Sequence, residues 1–261
     1  PPGGAERWTR TNHAGCPVTL FEGPAYAVGA VVGALSGGAG APAAVAGLGA
    51  GVFGALDDVF GGSSSKGLRG HLAAARRGQV TTGVVKIVGL GVTGLAAAWI
   101  ADRSRAGTGP RANGPFSTLV GGAVIAGSAN VINLFDLRPG RALKVTLLLV
   151  APFVAGGRGT RLSTATAAAA AGAAMAALPE DLAGRSMLGD TGANSAGALI
   201  GTALMARTGL GGRLLALASV AVLTLASEKV SFTTVIESSP GLRRLDELGR
   251  PRASHGDPLK P

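Results

Sequence analysis

Apolar residues in this chain come in long blocks separated by short polar connections. A bilayer core about 30 Å thick takes roughly 20 residues of helix, about 17 at the short end. By that measure eight candidate spans stand near residues 24–39, 41–56, 80–100, 115–134, 142–157, 162–178, 191–206 and 210–227. Several are short, and 142–157 is marginal. Between the first two lie Gly37, Gly38, Gly40 and Pro42, which disfavour an uninterrupted helix and leave either two spans or one broken segment. The expected fold class is all-α: a polytopic transmembrane bundle of about eight spans with both ends on the same side. It divides into an N-terminal segment 1–23, a transmembrane domain 24–227 and a polar tail 228–261. In the tail, Leu242, Leu245 and Leu248 recur every third residue beside Arg243 and Arg244, the pattern of a short helix lying on a membrane surface.

Composition supports this pattern. Hydrophobic residues make up 47% and charged residues 15%, against about 25% charged in an ordinary soluble domain. The apolar content is Ala, Val, Leu and Gly, small residues that let membrane helices approach closely. The single cysteine, Cys16, excludes an internal disulfide and a cysteine-based zinc site. A net charge of +10 raises the question of nucleic acid, but the charges are scattered between apolar blocks, so none is expected as a partner. Thirteen of the fourteen acidic residues fall on the side that holds both ends; only Asp102 lies opposite. Lys and Arg divide sixteen to seven in the same sense, with Lys86 inside a span, which puts the acidic side in the cytoplasm. Trp8 and Trp99 are read as interfacial anchors, and His13, His71 and His255 as solvated loop residues.

Three motifs carry candidate chemistry. In Gly54-Ala55-Leu56-Asp57-Asp58-Val59-Phe60-Gly61, two adjacent carboxylates sit where an apolar helix meets the cytoplasm. Such neighbours resist joint ionisation unless they share a cation, and a hard cation such as Mg²⁺, or a diphosphate carrying one, fits. In Asn130-Val131-Ile132-Asn133-Leu134-Phe135-Asp136, the spacing of three predicts a single polar stripe on a helix that begins inside a span. Arg138, Arg141 and Lys144 follow, able to meet phosphate or to anchor the inner face. In Met187-Leu188-Gly189-Asp190-Thr191-Gly192-Ala193-Asn194, an acid opens a Gly/Ala-rich span, as a metal ligand or a helix cap would.

Together, and in this order, the motifs resemble those of the polyprenyl-phosphate N-acetylhexosamine-1-phosphate transferases, the family that includes the phospho-N-acetylmuramoyl-pentapeptide transferase of peptidoglycan synthesis. The likeness covers roughly residues 10–227, and Arg10-Thr11-Asn12-His13-Ala14-Gly15 is similar to the family's first cytoplasmic loop. The resemblance implies a bacterial plasma-membrane enzyme using Mg²⁺, with its active site toward the cytoplasm. Its partners would be a UDP-N-acetylhexosamine and a polyprenyl phosphate, with a homodimer left open. It implies Asp57, Asp58 and Asp136 as catalytic carboxylates, Asp190 and Asp57 as metal ligands, and Asn130, Asn133, Lys86, Arg138 and Arg141 as substrate contacts. The sequence departs from the family where Asp136 is followed by Leu137 rather than Gly, where no histidine cluster follows residue 227, and in having eight spans for about ten. A divergent branch acting on a simple UDP-N-acetylhexosamine is therefore expected. The alternatives are a non-catalytic membrane descendant and, less favoured, a transporter, which would place its carboxylates nearer the midplane.

Overall fold

The structure is a computed structural model that describes residues 4–12, 15–61, 70, 74, 76–78, 81–104, 114–156 and 159–251. His13, His71 and His255 lie outside the described residues. The chain opens with a 3₁₀ turn, Ala5–Trp8, and a small antiparallel hairpin of β1 (Thr9–Thr11) and β2 (Pro17–Thr19). The elements that follow among the described residues are helices: α1 (Glu22–Ser36), α2 (Ala41–Phe60), α3 (Thr82–Ser104), α4 (Pro115–Phe135), α5 (Arg141–Ala155), α6 (Arg161–Leu182), α7 (Gly189–Arg207), α8 (Leu210–Ser227), α9 (Phe232–Ser238) and α10 (Pro240–Glu247).

Five of these helices, α2, α3, α4, α6 and α8, are long and apolar enough to cross a membrane. The other three expected spans differ for two reasons. Helices α1 and α5 have 15 residues each, about 22 Å at the usual helical rise. Helix α7 has 19 residues, but they are mostly Gly, Ala, Ser and Thr and nearly all are buried. It is the central helix, packed on α2 and α4 with α1 and α6 against its other sides. The Gly37–Gly40 break gives two helices rather than one bent segment. Gly38 and Gly40 adopt positive φ, and α2 folds back on α1 so that Gly47 faces Val31 and Gly51 faces Ala27.

The core is built from small residues and the outside from large ones. Ala30, Ala34, Ala43, Ala46, Ala97, Ala129, Ala170 and Ala196 are buried, whereas Val52, Val88, Val92, Leu148, Leu215 and Val222 are exposed. That distribution suits a bundle whose helices meet through small side chains and whose outer surface meets lipid. Close approach is most demanding along α7. A Cβ at Gly54 would lie 2.2 Å from the Asp190 carbonyl oxygen, and one at Gly197 would lie 2.2 Å from that of Ser128.

Charge is sorted by end. At one end α7 starts, α2 and α4 finish, and the hairpin packs; at the other, Asp102 forms a two-pronged pair with fully buried Arg213, at 2.7 and 2.9 Å. Thr118 and the Ser117 carbonyl complete that cluster. Trp99 is half exposed under the Arg103 guanidinium, as an interfacial anchor would be. Trp8, expected in the same role, is instead buried and stacked on Phe21.

Candidate functional site

Three helix ends bring the first and third motifs together. The last turn of α2 carries Asp57 and Asp58, the first turn of α7 carries Asp190, and Lys86 enters from the second turn of α3. The Lys86 ammonium lies 2.7 Å from an Asp57 carboxylate oxygen and also pairs with Asp190. Thr82 hydrogen-bonds Asp57, and the Asp57 and Asp190 carboxyl groups are within hydrogen-bonding reach of each other. All three charged side chains are largely withdrawn from solvent. The arrangement thus holds two carboxylates around one cation at the mouth of an apolar bundle.

Asp58 faces elsewhere. Its carboxylate accepts the Asp190 N–H at 3.0 Å, the Thr191 N–H at 2.8 Å and the Thr191 hydroxyl at 2.6 Å. The first residues of α7 have no capping side chain of their own, so Asp58 caps the helix from another element, satisfying N–H groups that a helix start leaves open. Gly189, at φ +57°, lies against it: a Cβ there would be 3.0 Å from both carboxylate oxygens. Arg10 of β1 donates to the Asp58 carbonyl, tying the hairpin to the same corner. The two adjacent acids of the first motif therefore have different surroundings, one at a cation and one at a helix start.

The second motif is divided between two cavities. Asn130 and Asn133 line a groove of about 380 Å³ with Lys86, Thr224 and Glu228, between α3, α4 and α8. Asn130 reaches the Thr224 hydroxyl at 3.4 Å. The predicted single stripe ends early, because α4 stops at Phe135 and Asp136 takes a non-helical ψ of 49°. Asp136 lines a second cavity with Thr11, Asn12, Asp181 and Ser186. Burial first, and then the carboxylates of Asp181 and Glu22, push its carboxyl well above the usual range.

The basic residues after Asp136, read from sequence as phosphate contacts or as anchors of the inner face, here meet the C-terminal tail. Arg141 is buried and holds Asp246 by two bonds, 2.7 and 2.9 Å, with a third to Thr233 at 2.8 Å. Arg138 reaches Glu237 at 3.2 Å. Lys144 donates to the carbonyls of Leu245, Asp246 and Leu248. Phe135 stacks on Phe232, and Arg250 bonds the Pro139 carbonyl at 2.8 Å. The tail carries the short helix α10, with Leu242 and Leu245 exposed on it and Leu248 exposed just after it.

Sequence reading did not single out Thr82, Glu22, Asp181 or Ser186. Asp181 carried one usable signal: it is an acid at the C-terminal end of a helix, where the dipole disfavours it. Here it accepts the Gly140 N–H at 3.1 Å. Gly140 is at φ +71°, and a Cβ on it would meet Leu182 at 2.4 Å.

Among the described residues, no three His, Cys, Asp or Glu side chains are close enough to hold a metal ion by themselves. Asp57 and Asp190 are nevertheless hard oxygen donors that converge on one cation. Magnesium ordinarily takes one or two carboxylates and completes its shell with phosphate oxygens and water. The residues present fit a magnesium that arrives with a phosphate ligand. Comparison of the chain with protein-family models, curated proteins and solved structures gives no match.

Proposed function

We propose that this chain is a membrane-embedded, magnesium-dependent transferase of N-acetylhexosamine 1-phosphate, moving it from a UDP-sugar to a polyprenyl phosphate. The reading takes the bundle as about eight passes in a bacterial plasma membrane, with the carboxylate end toward the cytoplasm. The observation that carries it is the Asp57–Lys86–Asp190 cluster, where two motifs distant in sequence meet around a cation. In the proposed reaction an oxygen of the lipid phosphate attacks the β-phosphorus of the UDP-sugar. The bond from that phosphorus to the bridging oxygen breaks, and UMP leaves with the electron pair.

The chain's own residues divide the work. Asp57 and Asp190 would hold magnesium, whose charge offsets that of the diphosphate and the departing UMP. Lys86, between these acids and the groove of Asn130 and Asn133, is placed to turn its ammonium from carboxylate to phosphate oxygen. Asn130 and Asn133 supply neutral donors in that groove. Its apolar walls, Ile87, Leu90 and Leu134, offer the lipid acceptor a lateral way in between helices. Asp58 acts as a positioning residue by fixing the start of α7 under Asp190. Asp136 stands on the nucleotide-sugar side.

The test is transfer of radiolabelled UDP-N-acetylglucosamine into lipid by purified protein, with polyprenyl phosphate and Mg²⁺. The expected result is label in the lipid phase, abolished by EDTA and by Asp190→Asn. No transfer across several UDP-sugars overturns the reading in favour of a non-catalytic membrane protein.

A further inference from the structure

The C-terminal tail is pinned to the plane where the long helices end. It leaves the bundle from the end of α8 at Ser227. Phe232, which opens α9, stacks on Phe135, the last residue of α4, with ring centroids 5.2 Å apart. Asp246 of α10 is gripped by Arg141, the first residue of α5. Lys144, in the same turn of α5, donates to the carbonyls of Leu245, Asp246 and Leu248. Helices α4 and α8 are both long and apolar enough to cross a membrane, so these attachments place α10 at the boundary of the bilayer that they would span.

The faces of α10 are sorted to match that position. At about 100° per residue, Leu242 and Leu245 share one face, and Leu248 continues it past the helix end. They are 46%, 57% and 67% exposed. Asp246 borders this face and turns into the bundle, where Arg141 and Arg250 neutralise it. Arg243, Arg244 and Glu247 occupy the remaining, exposed arc. Among the described residues, neither Arg243 nor Arg244 takes part in a salt bridge. The protein thus satisfies the carboxylate and the last carbonyls of α10 from the bundle side. What it leaves outside is a leucine stripe with two arginines beside it. An anionic leaflet supplies both complements, an acyl boundary for the leucines and phosphate groups for the arginines. Lipid is also the neighbour that the attachments already put beside this face.

We propose that α10 binds the anionic leaflet at the carboxylate end of the bundle, seating Leu242, Leu245 and Leu248 at the acyl boundary and Arg243 and Arg244 among headgroup phosphates. The proposal is independent of the transferase reading and needs only that the bundle lies in a bilayer.

The test places a nitroxide spin label on Leu245→Cys or on Glu247→Cys, each in the full chain with Cys16→Ser, in lipid nanodiscs. Relaxation by oxygen, which concentrates among acyl chains, is compared with relaxation by a neutral nickel chelate, which stays in water. In nanodiscs of mixed phosphatidylglycerol and phosphatidylcholine, the label on Leu245→Cys should meet oxygen and the label on Glu247→Cys should meet nickel. Phosphatidylcholine alone should lower the oxygen-to-nickel ratio at Leu245→Cys by about fivefold or more, and so should Arg243→Gln with Arg244→Gln in the mixed lipid. Equal nickel access at both positions would leave the leucines in water and overturn the proposal. A label on Leu245→Cys shielded from both reagents would mean that protein covers the face, a second copy included, and would overturn it too. So would a ratio that ignores both the anionic lipid and the arginines. The side chains replaced are all exposed, and Leu242→Cys gives a second reporter on the same face.

Discussion

Asp57 and Asp58 are neighbours in the chain whose substitution should have opposite signatures. The Asp57 side chain meets Lys86, Asp190 and Thr82 at the mouth of the bundle, so Asp57→Asn should lower transfer by about a hundredfold or more while the protein unfolds near its usual temperature. Asp58 holds the start of α7 by three hydrogen bonds. Its loss should remove a helix cap, and Asp58→Ala should cost about 1–2 kcal/mol, read as earlier thermal unfolding in detergent. Normal stability in Asp58→Ala would show that the cap contributes nothing, and wild-type transfer in Asp57→Asn would sink the site assignment. Lys86 gives a third residue-scale expectation. Replacing it with Met leaves two acids facing each other without their cation, so Mg²⁺ should bind more tightly while transfer falls. Calorimetric titration with Mg²⁺ checks this, and unchanged affinity would show that the ammonium and the metal do not compete.

At the scale of elements, the tail works as a strap across the Asp136 loop. Helix α10 is held by Asp246, whose carboxylate is sandwiched between Arg141 and Arg250. Burial pushes that carboxyl up, but the two guanidinium groups outweigh it and hold it below the ordinary value, about 3.9 for a free Asp. A depressed folded value means that the docking stability is fully present above about pH 4 and is lost as pH falls through the folded value. Protection of the α10 amides against hydrogen exchange, taken relative to the intrinsic rate at each pH, should therefore fall on acidification, before protection in α7 does. Asp246→Asn leaves Arg141 buried without its counter-charge and should cost about 3–5 kcal/mol, releasing the tail at neutral pH. Exchange in α10 that stays slow in this variant would remove the strap. The helices themselves were largely legible, because apolar blocks and Gly/Pro breaks are local features. The tail's attachment was not: Arg141 and Asp246 are 105 residues apart, and from sequence Arg141 looks like any basic residue at a membrane edge. The Asp58 cap was hidden in the same way, since Asp190 could have capped its own helix. Lys86 was half legible, because a lysine inside a span needs a partner but the sequence does not say which.

At the scale of the whole molecule, the bundle has one end rich in carboxylates and one where a single acid is neutralised. Asp102, alone on its side in the sequence, is explained by Arg213: the pair is buried and two-pronged, so that end carries no free carboxylate in this cluster. The other end gathers Glu22, Asp57, Asp58, Asp136, Asp181 and Asp190 around the start of α7. The transferase reading takes its UDP-sugar from the cytoplasm and so requires that end to face inward. The chain provides its own reporter. Cys16 is the single cysteine, it is exposed, and it begins the turn into β2, which bridges to Ser186 and so sits at the carboxylate end. A membrane-impermeant maleimide should label Cys16 in inverted vesicles and in detergent, but not in intact cells. Cys16→Ser supplies the blank. Labelling of intact cells alone would turn the molecule over, put Asp57, Lys86 and Asp190 outside, and remove the nucleotide sugar from reach.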